Sequence, residues 1–143
     1  MTASPAECAR EMLDTVPLIM RTIRSEMRSH RTPELTVPQF RVLAFLRRHA
    51  GASLSEAAEH MGLTLPSMSR IVDGLVVRQL VVRQTPPADR RRVSLALTAS
   101  GHATLQLARK ATQACLVEAL MTLSEAQRVS IIEVMQMLRP LFT

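Results

Sequence analysis

The chain has 143 residues, 47% hydrophobic and 21% charged, enough to build one domain or two intimate lobes around a core and too apolar to be disordered. Its net charge is +6, carried by 18 basic residues of which Lys110 is the only lysine. Cys8 and Cys115 form neither a C-x-x-C pair nor a zinc ligand set, no apolar run approaches the roughly 20 residues that span a bilayer, and the N-terminus lacks a signal core. A cytoplasmic protein without disulfide scaffold, metal centre, cofactor or membrane anchor is expected.

The first helix begins at Ser4-Pro5, an N-cap followed by proline at the first helical position. It carries Ala9, Leu13, Val16, Met20, Ile23 and Met27 at steps of four and three, with Pro17 expected to kink or bend it. Thr36 caps a second helix over Val37–His49, with Gln39 completing a capping box, and Gly51 ends it. Ser53 and Glu56 cap a third in the same way. Met61-Gly62-Leu63 separates that helix from a fourth, Leu65–Gln79, capped by Thr64 with Pro66 in its first turn.

The fourth helix commits Met68, Ile71, Val72, Leu75 and Val76 to a core stripe. At 100° per residue the opposite stripe collects Pro66, Arg70, Asp73, Gly74 and Val77, flanked by Ser67 and Ser69, a small polar surface able to approach base edges and phosphates. A recognition helix enters the major groove N-terminus first, so Ser67, Ser69 and Arg70 are expected to discriminate bases, with Arg70 able to bond guanine O6 and N7 together. Thr64 and Pro66 lie at the same leading end.

Leu80–Thr85 and Arg92–Leu97 read as two antiparallel strands, the second with Val93, Leu95 and Leu97 on one face and Arg92, Ser94 and Ala96 on the other. Their connection, Pro86 to Arg91, is too long and proline-stiffened for a tight turn and sets Arg90, Arg91 and Arg92 at or beside its tip. Like charges crowded on a loop persist where a polyanion neutralises them, and a protruding arginine suits the narrow, negative minor groove. Asp89 is positioned to hold Arg91 extended. Residues 36–98 hold nine arginines against four acids, so +5 of the total +6 falls there, the footprint a DNA-reading segment needs.

Two further helices follow. One, Ala99–Met121, carries Leu105, Ala108, Thr112, Cys115 and Ala119 on one stripe and Leu107, Ala111 and Ala114 on another. The last, capped by Ser124 and Gln127, shows Ile131, Ile132, Met135, Leu138 and Phe142, broadened by Val129, Val134, Met137 and Leu141. The terminal helices display more apolar surface than one small lobe can hide, which points to a homodimer with reading heads about 34 to 36 Å apart. The expected fold is mainly α with a small β-hairpin: a winged helix-turn-helix over residues 36–98, flanked by a helical dimerisation region over 1–35 and 99–143.

Leu35-Thr36-Val37-Pro38-Gln39-Phe40-Arg41-Val42-Leu43, the helix pair Ser53 to Leu80, and Asp89-Arg90-Arg91-Arg92 followed by Leu97-Thr98-Ala99-Ser100-Gly101 resemble the MarR family of bacterial transcriptional regulators over nearly the whole chain. The resemblance implies an obligate dimer on a pseudo-palindromic operator of double-stranded DNA, usually as a repressor, with Asp89 and Arg91 matching the wing pair. Gln79 stands where the family commonly has glycine, and Gly74 where relatives are often basic. The resemblance further implies a small lipophilic or anionic effector between the dimer helices and the reading lobe, where Arg24, Met27, Phe40, Arg41 and Phe45 are the candidate lining. The nine methionines and the absence of Trp and Tyr would make such a pocket apolar and adaptable, with little aromatic stacking.

Three alternatives stay open. A redox-responsive regulator would use Cys8, which lies about one helical turn early for that variant and has no tyrosine to assist it. A zinc sensor would need clustered ligands, whereas His30, His49, His60 and His102 are scattered. An interaction protein of the same fold could dispense with operator binding. No nucleophile has a recognisable histidine partner and no phosphate-binding glycine loop occurs, so an enzyme is not expected.

Overall fold

A computed structural model describes residues 2–29, 35–85, 88 and 91–143. Helix α1 (Pro5–Ser29) runs unbroken through Pro17, and Ser4 caps it by accepting from the Glu7 amide while its own amide donates to the Glu7 carboxylate at 2.7 Å. Helix α2 (Val37–Arg48) opens on the expected Thr36/Gln39 capping box, and Gly51 beyond it adopts φ 87°, a left-handed conformation natural only to glycine.

Strand β1 (Ala52–Ser53) leads through the Ser53 cap into α3 (Leu54–Met61). Gly62, at φ 65°, closes α3 in the left-handed conformation, and the Leu63 amide donates back to the Ala58 carbonyl at 3.0 Å, so the chain reverses within three residues. Helix α4 (Leu65–Val77) follows with Thr64 as N-cap. It stops short of the expected Gln79 because Arg78 and Gln79 form a turn, in which Gln79 takes φ 60° without being glycine.

Strands β2 (Val81–Gln84) and β3 (Ser94–Leu97) pair antiparallel, Val81 opposite Leu97 and Gln84 opposite Ser94. The hairpin gains a third strand that periodicity did not announce: β1 pairs with β3, Ala52 opposite Leu95, giving the order β1-β3-β2. Two residues are too few for an alternation to be read. The expected faces of the second strand also need correction. Ser94 is buried, its hydroxyl donating to the Gln84 carbonyl at 3.1 Å, whereas Val93 precedes the strand and is exposed. A satisfied hydroxyl tolerates burial that an unpaired one would not.

Helix α5 (Ala99–Leu120) starts at the Thr98 cap, and α6 (Glu125–Leu138) at the Ser124/Gln127 capping box before a 3-10 turn at Arg139–Leu141. The first turn of α5 lies hard against the turn after α4: a Cβ on Gly101 would come within 2.0 Å of the Leu80 carbonyl oxygen. The Thr98 hydroxyl donates to the Gln79 carbonyl at 2.6 Å, and its amide to Leu80 at 3.1 Å. The L-T-x-x-G sequence is therefore a packing device.

The fully buried apolar residues all lie between Val42 and Leu105, drawn from α2, α3, α4, the sheet and the start of α5. Met68, Val72 and Leu75 anchor α4 in this core, with Ile71 and Val76 half-buried beside them, as its periodicity predicted. Each such burial stabilises by about 1.5 to 3 kcal/mol. Helices α1 and α6 have no buried residue at all. Leu13 is 74% exposed, Phe142 71% and Leu141 69%.

Candidate nucleic-acid interface

The core stripe of α4 turns its other side outward. Thr64, Pro66, Ser67 and Arg70 are exposed along that side, and Ser69 is half-buried. The Thr64 hydroxyl accepts from the Ser67 amide at 3.3 Å and donates to the Ser67 hydroxyl at 3.0 Å, which orders the leading end of the helix. Of the three remaining members of the expected outer stripe, Val77 is exposed and the other two differ. Gly74 is half-buried, with Gln39 Nε2 at 3.5 Å from where its Cβ would be, so it lets α2 approach and does not belong to the open face. Asp73 is exposed but ion-paired with Arg83 of β2.

The wing carries its charge unevenly. Arg91 and Arg92 are both exposed, but Arg92 reaches back to Glu56 of α3 at 3.4 Å, so it braces the base of the wing. Pro86, Pro87, Asp89 and Arg90 fall outside the described residues, and with them the expectation that Asp89 holds Arg91. Both ion pairs link an element of the helix-turn-helix to the wing: α4 to β2, and α3 to the segment entering β3. Neither was foreseen, because each joins residues that are ordinary surface charges in sequence. Exposed pairs of this kind add less than about 1 kcal/mol to stability; what they fix is orientation.

The candidate effector residues are only partly brought together. Phe40, Arg41 and Phe45 line a crevice of about 770 Å³ with Met20, Met61 and Phe142. Arg24 and Met27, farther along α1, line neither this crevice nor the one described next. Phe45 lies between His49 and His60, ring centroids 4.7 and 4.6 Å away. The fold thus gathers two histidines that are scattered in sequence, although the described residues contain no group of three or more His, Cys, Asp or Glu able to hold a metal ion.

A second crevice, of about 600 Å³, lies on the other side of the Phe40–Ala44–Arg48 row, between α2 and α5. Arg47, Arg48, Arg109 and Lys110 line it together with Ile23, Phe40 and Leu116. Partial burial, and then the charges of Arg47 and Arg48, draw the Arg109 guanidinium below its ordinary pKa. No spacing along α5 marks Arg109 and Lys110 in the sequence.

Cys8 is exposed near the start of α1, and Cys115 is half-buried on α5. Desolvation, and then the carboxylates of Glu26 and Glu118, push the Cys115 thiol up. Among the described residues no helix is long and apolar enough to cross a membrane.

A helix-turn-helix with a braced three-stranded wing defines a winged-helix regulator. The pattern of the MarR family matches residues 34–92. An uncharacterized HTH-type transcriptional regulator of Mycobacterium leprae is 30% identical over 128 residues, 90% of this chain and 87% of that protein. Among solved structures, RV1404 from Mycobacterium tuberculosis superposes with TM-score 0.75 at 22% identity, over 95% of this chain and 92% of its own. The transcriptional repressor CouR, solved bound to a 23-mer DNA duplex, gives TM-score 0.68 at 25% identity, over 97% and 99%. The chain belongs to the MarR family of transcriptional regulators. That membership sets an enzymatic role aside.

Proposed function

We propose that this MarR-family chain is a homodimeric repressor that binds a pseudo-palindromic operator through α4 and the wing and is released by a small lipophilic or anionic effector. In this division, residues 36–98 read DNA while 1–35 and 99–143 form the dimer. The observation that carries it is the open side of α4: Thr64, Pro66, Ser67 and Arg70 stand exposed at the leading end of a helix whose other side is locked in the core. Ser67, Ser69 and Arg70 read bases in the major groove. Arg91, with Asp89 and Arg90 beside it in sequence, tracks the minor groove, and Arg92 contributes charge from the wing base. CouR, a repressor seen on duplex DNA, supports the same mode here.

Dimerisation accounts for α1, α6 and the 3-10 turn after it, whose exposed Leu13, Leu18, Ile132, Met137 and Leu141 would otherwise remain in water. The effector acts only through different affinities for DNA-competent and incompetent states. Hydroxyl-radical footprinting on the chain's own promoter tests the reading: it predicts two protected patches related by a dyad and about one helical turn apart. A single patch, or uniform protection, would contradict it.

A further inference from the structure

We infer that Leu65, the first residue of α4, recognises thymine by its C5-methyl group, a base contact that rests on the operator-binding reading and gives it a second kind of specificity. Leu65 is 50% exposed, and the neighbouring Leu63 and Pro66 are exposed as well. Both leucines stand outside the core cluster and the half-buried residues packed on it, whereas Met68, Val72 and Leu75 of the same helix are fully buried. A single apolar side chain on a surface is ordinary. Three within the stretch 63–66, at the leading end of the helix that enters the groove, form an edge that gains by leaving water.

The polar neighbours at this end are already engaged with one another. The Thr64 hydroxyl accepts from the Ser67 amide and donates to the Ser67 hydroxyl, so it keeps no hydrogen for a base. In a helix each Cα–Cβ bond tilts toward the N-terminus, so the Leu65 side chain leans in the direction in which α4 advances into the groove. There every base pair offers donors or acceptors, but only thymine offers an apolar group. Leucine pressed on a guanine or cytosine edge would leave those polar groups dry and unpaired, which costs free energy. Against the thymine methyl it removes water from two apolar surfaces at once. Arg70 then discriminates by hydrogen bonds and Leu65 by exclusion of water, from the same helix.

Anisotropy on the chain's own promoter fragment, made with thymine throughout or with deoxyuridine in its place, tests the contact, because uracil keeps every hydrogen-bonding group of thymine and lacks only the methyl. The wild type should bind the deoxyuridine fragment at least about fourfold more weakly, the effect of one methyl-sized group returned to water. Leu65→Ala, and Leu65→Gln as a second variant, should bind the two fragments within about twofold of each other, with thermal unfolding confirming that each is folded. Arg91→Ala, which loses a phosphate contact, should keep the wild-type ratio. Equal affinity of the wild type for both fragments would overturn the proposal. So would a ratio that survives in both Leu65 variants, since the methyl would then be felt through duplex shape or by another residue. The operator reading is judged separately, on unmodified DNA: promoter preference with no effect of deoxyuridine removes the Leu65 contact and leaves operator binding standing, whereas equal binding of promoter and scrambled thymine duplexes removes both.

Discussion

Asp73 of α4 is ion-paired with Arg83 of β2, so the two elements proposed to enter adjacent grooves are tied to each other by opposite charges. The carboxylate both restrains Arg83 and adds one negative charge that opposes attraction to phosphate.

Asp73→Ala should therefore bind random duplex about threefold more tightly, because a repulsive charge is gone and Arg83 is released, while promoter preference narrows. Stability should change by less than about 1 kcal/mol, since both side chains are exposed. Anisotropy on promoter and scrambled duplexes, paired with thermal unfolding, checks both. Undiminished preference would show that the pair does not set the relation between helix and wing.

Arg91 and Arg70 should fail differently. Arg91→Ala is expected to weaken operator and random DNA alike and to make the salt dependence shallower by about one unit, as loss of a phosphate contact does. Arg70→Ala should in addition relax sequence preference by about 1 to 3 kcal/mol. Equal losses on both DNAs for both variants would remove the division between reading and anchoring.

The turn between α4 and β2 sets a test of the fold. A Cβ at Gly101 would meet the Leu80 carbonyl oxygen at 2.0 Å, and backbone cannot yield as a flexible side chain can, so Gly101→Ala should destabilise by about 3 kcal/mol. Gln79, at φ 60°, works in the opposite direction. Gln79→Gly should relieve a left-handed non-glycine residue and gain up to about 1 kcal/mol, less the entropy returned to the unfolded chain. Urea unfolding measures both, and a neutral Gly101→Ala would contradict the close approach.

Cys115 should be a sluggish nucleophile at neutral pH. Desolvation, with Glu26 and Glu118 adding to it, favours the protonated thiol, so the reactive thiolate emerges only as pH rises above the ordinary cysteine range. On a Cys8→Ser background, the iodoacetamide rate should climb with pH and reach its midpoint above that range. A midpoint below it would show an activated thiol.

Much of this molecule was legible because its signals are local. Caps at Ser4, Thr36, Ser53, Thr64 and Ser124 sit where Ser and Thr satisfy orphan amides, and the 3.6-residue stripe of α4 became the core face it predicted. What escaped depends on tertiary approach. The two-residue strand β1 has no period to read, Ser94 is buried by a bond to a residue ten positions away, and Gly74 packs toward α2 because Gln39 comes close. The charges divide the same way: Arg92 and Asp73 read as members of a DNA face until the fold gave each a partner. The cationic crevice joins α2 to α5 across some sixty residues of sequence, and no spacing rule connects them.

Operator binding is measured by fluorescence anisotropy against duplex from the chain's own promoter and a scrambled control, at several salt concentrations. A preference of about 4 kcal/mol or more for the promoter and a steep fall of affinity with salt are expected. Equal, weak binding to both duplexes would contradict it and favour a partner other than this operator.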